Sequence, residues 1–254
     1  MTLFALLAAA AISAQPVHDV VVDLTPSSGP TQRALVSVPP GAHGMIVMLP
    51  GGSGEVGIGR DGSIAHGDNF TVRTRALWAA KGYGVVIPDA IGGTNQRGLR
   101  STPAYAQMVA RMVTLAHHQG PGPVFLLGTS QGSIAAMNGA AHAAPGSIAG
   151  VVLTESVSVL GGSHETVFDA DPACVTVPAL VVANSDDACK VAPPGNAARI
   201  AAAMTHSPDA KVIVVSGGVA RSANPCGSLT PHGYYGIENK VVDAIVRWMD
   251  GHSR

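Results

Sequence analysis

The sequence predicts an α/β architecture, a mostly parallel sheet of about eight strands with helices on both faces. Three observations predict it. Short, continuous Val/Ile/Leu runs recur along the 254 residues, and strands buried on both faces read as such runs rather than as alternating patterns. Helix-like segments separate most of these runs, as parallel strands require. The 31 glycines and 18 prolines are spread among the runs and form no low-complexity tract, so the chain is punctuated without being disordered.

In chain order, residues 17–22 and 34–38 read as a β-rich pair. The turn-forming Pro26-Ser27-Ser28-Gly29-Pro30 joins them into an opening antiparallel hairpin. Residues 45–49 are a continuous buried-strand run, 70–81 a helix, 84–88 a strand and 103–118 a longer helix. Strand 124–127 and helix 133–143 follow, then strands 150–153 and 179–183, helix 196–204, strand 211–215 and a closing helix over 237–249. About two dozen residues separate the strand ending at Leu153 from the one beginning at Ala179, close to the minimum for a crossover, so no large cap domain fits there. Loops 92–102 and 217–231 are left to cover that end of the sheet. Nothing marks a second domain, no repeat of solenoid period is present, and one domain over 15–254 is expected.

Hydrophobic residues make up 46% of the chain and charged ones 12%, enough apolar side chain for a substantial core. Fifteen Lys plus Arg against 16 Asp plus Glu leave a formal charge of -1. No long-range field would draw this chain to phosphate backbones or anionic lipid, so nucleic acid and membrane surfaces are not expected as partners. Residues 3–12 are apolar and lead into Ser13-Ala14-Gln15, where small residues suit a signal peptidase. Segment 1–14 therefore reads as a secretory signal, with a plain N-terminal helix as the alternative. It is too short to span a bilayer, and no other run is apolar enough to serve as a stable membrane anchor. A secreted or periplasmic protein is the expectation, a cytoplasmic one if the segment is not a signal.

The chemistry centres on Gly128-Thr129-Ser130-Gln131-Gly132, a G-x-S-x-G sequence directly after the apolar run Val124 to Leu127 and before a helix of small residues. A serine in a tight strand-to-helix turn has a strained backbone, and glycines two positions either side relieve the crowding. Ser130 is the candidate nucleophile. With Ser130 after the fifth strand, an acidic pair at Asp186 and Asp187 after a later one, and His232 before the last helix, nearly all of the chain beyond the signal resembles the α/β-hydrolase family.

That resemblance implies the remaining site. Val177-Pro178-Ala179-Leu180-Val181-Val182-Ala183-Asn184-Ser185-Asp186-Asp187 is similar to the family's Pro-x-Leu strand ending in Gly-x-x-Asp, with Asn184 in the place of the glycine. This puts the acid at Asp187, followed by Val191-Ala192-Pro193, with Asp186 as the second choice and helix capping as the non-catalytic reading. His232 lies between the strand at 211–215 and the C-terminal helix, beside Gly233. Of the other nine histidines, His117 and His118 end a helix, where the dipole favours imidazolium. His18, His43, His66, His142, His164, His206 and His252 have no partner legible in the sequence. None has H-x-x-x-H or H-E-x-x-H spacing, so no zinc site and no cofactor are expected.

The family's oxyanion hole implies two backbone donors, the N–H of Gln131 and one from Leu49-Pro50-Gly51-Gly52-Ser53-Gly54, at Gly52 with Ser53 as the alternative. Gly52-Ser53-Gly54-Glu55-Val56-Gly57 also matches G-x-G-x-x-G, but more glycine and polar residues follow instead of a helix and a strand ending in an acid, so nicotinamide binding is not expected. Cys189 lies two residues past Asp187 and Cys226 six before His232. In an exported member of the fold both would share the catalytic face, which suggests a Cys189–Cys226 disulfide with Cys174 free, against three unpaired thiols otherwise. Dienelactone-hydrolase relatives are similarly small and cap-poor but carry cysteine at the elbow, where this chain carries Ser130. Asp89 resembles a family position kept for loop structure, and Arg73 and Arg75 read as surface or loop ion pairs.

The resulting expectation is a serine hydrolase acting on small-molecule or polymeric carboxylic esters, with Ser130, His232 and Asp187 as a triad. A peptidase or thioesterase on the same triad, or a non-catalytic binding protein with this fold, is the alternative. The short crossover and the 4% aromatic content point to an open groove and to short-chain or bulky esters.

Overall fold

The architecture is taken from a computed structural model that describes residues 19–24 and 31–253. The expected signal 1–14, the turn 26–30, the first residues of the expected opening strand and His18 lie outside the described residues. The strands are β1 (Asp19–Leu24), β2 (Gln32–Ser37), β3 (Gly44–Leu49), β4 (Tyr83–Pro88), β5 (Val124–Thr129), β6 (Gly150–Thr154), β7 (Ala179–Asn184) and β8 (Ala210–Val215). They form one sheet in the order β1-β2-β4-β3-β5-β6-β7-β8. β1 and β2 pair antiparallel, with Asp19 opposite Ser37 and Leu24 opposite Gln32, and β2 runs antiparallel to β4. From β4 across to β8 every pairing is parallel.

The central strands are buried along their whole length, and their period of two divides the core into layers. Val47, Leu49, Leu126, Val151, Leu153 and Val181 face the helices α3 (Pro103–Gln119), α4 (Gln131–Ala141) and α5 (Ala197–Ala203). Ile46, Met48, Phe125, Leu127, Val152 and Leu180 face the other way, toward α1 (Phe70–Arg73), α2 (Arg75–Ala79) and α6 (Glu238–Gly251). Between β6 and β7 the chain makes only two short 3-10 turns, Val167–Asp169 and Pro172–Cys174. No large cap interrupts the sheet there.

Several expected elements differ in detail. The helix expected over 70–81 is two helices, broken at Thr74, whose ψ is near 1°. Its hydroxyl donates to the Phe70 carbonyl at 2.5 Å and accepts from the Trp78 indole N–H at 3.0 Å, a side chain competing with the helical ladder. Of the opening strand the described part is Asp19–Leu24, and α4 begins at Gln131, two residues early. Helix cover is incomplete at the edge strand β8, where Lys211, Val212 and Val214 are exposed. Among the described residues no helix is long and apolar enough to cross a membrane.

Candidate active site

Ser130 sits between β5 and α4 with φ 53° and ψ -122°, a left-handed φ that a residue with a Cβ seldom adopts. Its N–H donates to the Thr154 carbonyl at 2.9 Å, and its own carbonyl accepts from the N–H of Ser133 at 2.9 Å and its hydroxyl at 2.6 Å. The flanking glycines answer to crowding between backbones. A Cβ on Gly128 would lie 2.1 Å from the Gly132 carbonyl oxygen, and one on Gly132 would lie 2.0 Å from that of Leu49. β3, β5 and α4 therefore touch backbone to backbone beneath the serine.

His232 is in a 3-10 turn, Pro231–Gly233, whose cap Thr230 accepts the His232 N–H on its hydroxyl at 3.2 Å. The ring reaches both ways, with Nε2 2.9 Å from Ser130 Oγ and Nδ1 2.7 Å from Asp187 Oδ2. His232 and Asp187 are both buried. With the carboxylate accepting at Nδ1, the assigned tautomer leaves Nε2 as the acceptor of the serine hydroxyl. Asp187 Oδ1 accepts the Cys189 N–H at 2.8 Å. The neighbouring Asp186 is exposed and turns away, accepting the Gly217 N–H at 2.8 Å.

Two further devices hold the acid and histidine loops together, and a third fixes the histidine turn from α1. A disulfide joins Cys189 to Cys226, 37 residues apart, while Cys174 is free and exposed. The fully buried Asn184 donates through Nδ2 to the carbonyls of Gly217 at 2.9 Å and Pro231 at 3.0 Å, and accepts the Asp186 N–H at 3.1 Å. Arg73 pairs with Glu238 at 3.0 Å and donates to the Gly233 carbonyl and, at 2.6 Å, to that of Asp68. Arg75 pairs with Asp19. His117 and His118 lie in the last turn of α3, and His117 Nε2 lies 2.8 Å from the Ser147 carbonyl.

Sequence reasoning missed Asn184 as a clamp, though an amide in a slot where the resemblance calls for glycine was the available signal. It missed Glu155 altogether. This residue follows β6 with φ 42° and is 1% exposed. Burial, and after it the nearby Asp187, push its carboxyl well above the usual range. Burial does the same to the adjoining Tyr234 phenol, whose hydroxyl donates to the Val182 carbonyl at 2.9 Å.

Among the described residues, the N–H groups of Gln131, Gly52 and Ser53 have no protein acceptor. Gly51 packs on the elbow, a Cβ there falling 3.1 Å from that of Ser130. The loop lines a cleft of about 440 Å³ that Ser130 and His232 also line. Glu55, His66, Asp68, Asn69, Arg97 and Ser228 line the cleft along with one aromatic residue, Phe70. Asp89 sits behind the loop and accepts the N–H groups of Val56, Gly57, Ile58 and Ala90 at 2.7–3.1 Å. No helix starts between β3 and α1, so the context of a dinucleotide fingerprint is missing.

Glu155, Asp187 and His232 each bring one potential metal-ligating atom within 4.8 Å of the others. The spacing test could not see this group, because three separate loops supply one residue each. Its members already bond within the protein, His232 to Asp187 and Glu155 to the Asn184 N–H, and a metal at Nδ1 would displace the carboxylate.

The strand order, mostly parallel with helices on both faces, is that of the α/β-hydrolase fold. Solved structures similar to this chain bear out the fold. A dienelactone hydrolase from Anabaena variabilis is 16% identical with a TM-score of 0.63, over 94% of this chain and 99% of that one. An esterase from Pyrococcus furiosus is 10% identical with a TM-score of 0.68, over 94% and 92%. An acylaminoacyl peptidase from Pyrococcus horikoshii is 9% identical with a TM-score of 0.62, over 94% of this chain and 42% of its own. No protein-family profile and no curated protein matches the sequence.

Proposed function

We propose that this protein is a serine hydrolase that cleaves carboxylic esters through an acyl-enzyme, on a single domain spanning 15–254. The observation that carries the reading is the unbroken chain from Ser130 Oγ through both nitrogens of His232 to Asp187, at 2.9 and 2.7 Å. His232 Nε2 takes the Ser130 proton as Oγ attacks the acyl carbon, and Asp187 holds the ring in its tautomer and favours the imidazolium that forms. The N–H groups of Gln131 and Gly52 stabilise the oxyanion, the first with the help of the α4 dipole. The tetrahedral intermediate collapses, the C–O bond to the alcohol breaks, and His232 returns its proton to the leaving oxygen. Water, deprotonated by the same histidine, then attacks the acyl-Ser130 carbonyl and releases the acid. No cofactor enters any step.

The many polar side chains lining the cleft, with one aromatic among them, favour short or polar esters over long-chain lipids. Export to the periplasm or beyond is part of the proposal, supported by the disulfide. Two measurements test it. A fluorophosphonate probe is expected to label Ser130 and to leave Ser130→Ala unlabelled, and absence of label on the folded protein rules the enzyme out. Rates on p-nitrophenyl esters of increasing acyl length are expected to peak at short chains, and a peak at long chains would overturn the substrate reading.

A further inference from the structure

We infer that Glu155 is a positioning residue for Asp187, a neutral carboxylic acid whose O–H donates to the Asp187 carboxylate from beneath. The inference rests on the triad proposed above. Glu155 Oε1 accepts the Asn184 N–H at 2.9 Å, whereas Oε2 is buried without a hydrogen-bond partner. A carboxylate oxygen left so is costly, but an O–H there becomes a donor with a partner at hand. One ligating atom each of Glu155, Asp187 and His232 lie within 4.8 Å of one another.

The groups that face Glu155 are Asp187, His232, Tyr234 and the Asn184 amide. Among the described residues no Lys or Arg pairs with Glu155. Two carboxyls this close in a dry site do not both ionise, and Asp187 is the one bonded to the histidine. Asp187 has acceptor sites to spare beyond those used by Cys189 and His232. The left-handed φ of Glu155 is the kind of local strain that persists where the surroundings demand one side-chain direction.

The direction of the pH effect follows. The folded state holds this proton more tightly than the unfolded chain does, so the contribution of Glu155 to stability is complete below about pH 4.5 and is lost as pH rises toward its folded value. Glu155→Gln keeps an N–H donor that does not titrate. In urea unfolding, the Gln variant should match the wild type at pH 4 and exceed it at pH 8. With a short-chain ester, it should keep kcat within about threefold. Glu155→Ala should lose about tenfold in kcat with KM unchanged, the scale of one hydrogen bond to a charged group. The wild type should also show, at pH 7, the infrared carbonyl band of a protonated carboxyl, absent in Glu155→Gln. No such band, or a stability gap between wild type and Gln variant that does not move with pH, overturns the inference. The unfolding and infrared measurements need no substrate, so they judge Glu155 even if the protein proves not to be an esterase.

Discussion

Cutting the Cys189–Cys226 bond should loosen the acid and histidine loops together, and the size of the effect can be worked from the chain. The bond closes a loop over a separation of 37 residues, and the entropy it removes from the unfolded ensemble corresponds to about 4 kcal/mol at 25 °C. Cys226 is exposed and Cys189 buried, so Cys226→Ser is the milder change, putting its hydroxyl in water. Urea unfolding of this variant against the oxidised wild type should give a loss of about 4 kcal/mol. The m-value should rise, because an uncrosslinked unfolded chain is more expanded. Reductant should reproduce the loss in the wild type and leave the variant unchanged. Ester turnover should fall as well, since the buried cysteine's N–H anchors Asp187. A stability loss below about 1 kcal/mol with an unchanged m-value would refute the reasoning.

Asn184→Ala removes three hydrogen bonds, and at about 1 kcal/mol each it should cost ~3 kcal/mol in urea unfolding and lower turnover by tenfold or more; a loss under about 1 kcal/mol would show that the clamp does not matter. Tyr83→Phe tests the other end of the sheet, where burial lifts the phenol to about 12 and its hydroxyl bonds Asp250 at 2.8 Å. The folded state holds that proton more tightly, so its stability contribution is complete below pH 10 and is lost between pH 10 and about 12. The wild type's advantage over the Phe variant should therefore shrink across that window, and a gap that stays constant in urea unfolding would contradict the assignment.

What was legible in the sequence followed from burial. β3, β5, β6 and β7 are apolar on both faces, so their runs announced themselves without any knowledge of neighbours. Thr74 did not, because the bond from its hydroxyl to Phe70 is a choice between two local partners that periodicity does not weigh. The resemblance favoured Asp187 over Asp186, but nothing in the two residues themselves did. Adjacent loop residues point in opposite directions, and only the packed position of His232 decides which carboxylate meets it. Glu155 was hidden for a related reason. A lone acid after a buried strand reads as a loop residue until β7 and the histidine turn are folded beside it.

The loop after β3 has one more consequence. The amides of Val56, Gly57 and Ile58 converge on a single anion, as the amides of phosphate-binding nests do. Here the anion is supplied from within, by Asp89 at the end of β4. The nest is filled by the protein's own side chain, so a nucleotide phosphate would find its donors taken and a negative charge in its place. The glycine pattern shared with dinucleotide-binding loops thus marks a common backbone geometry put to the opposite use, holding the loop still so that Gly52 can face the cleft.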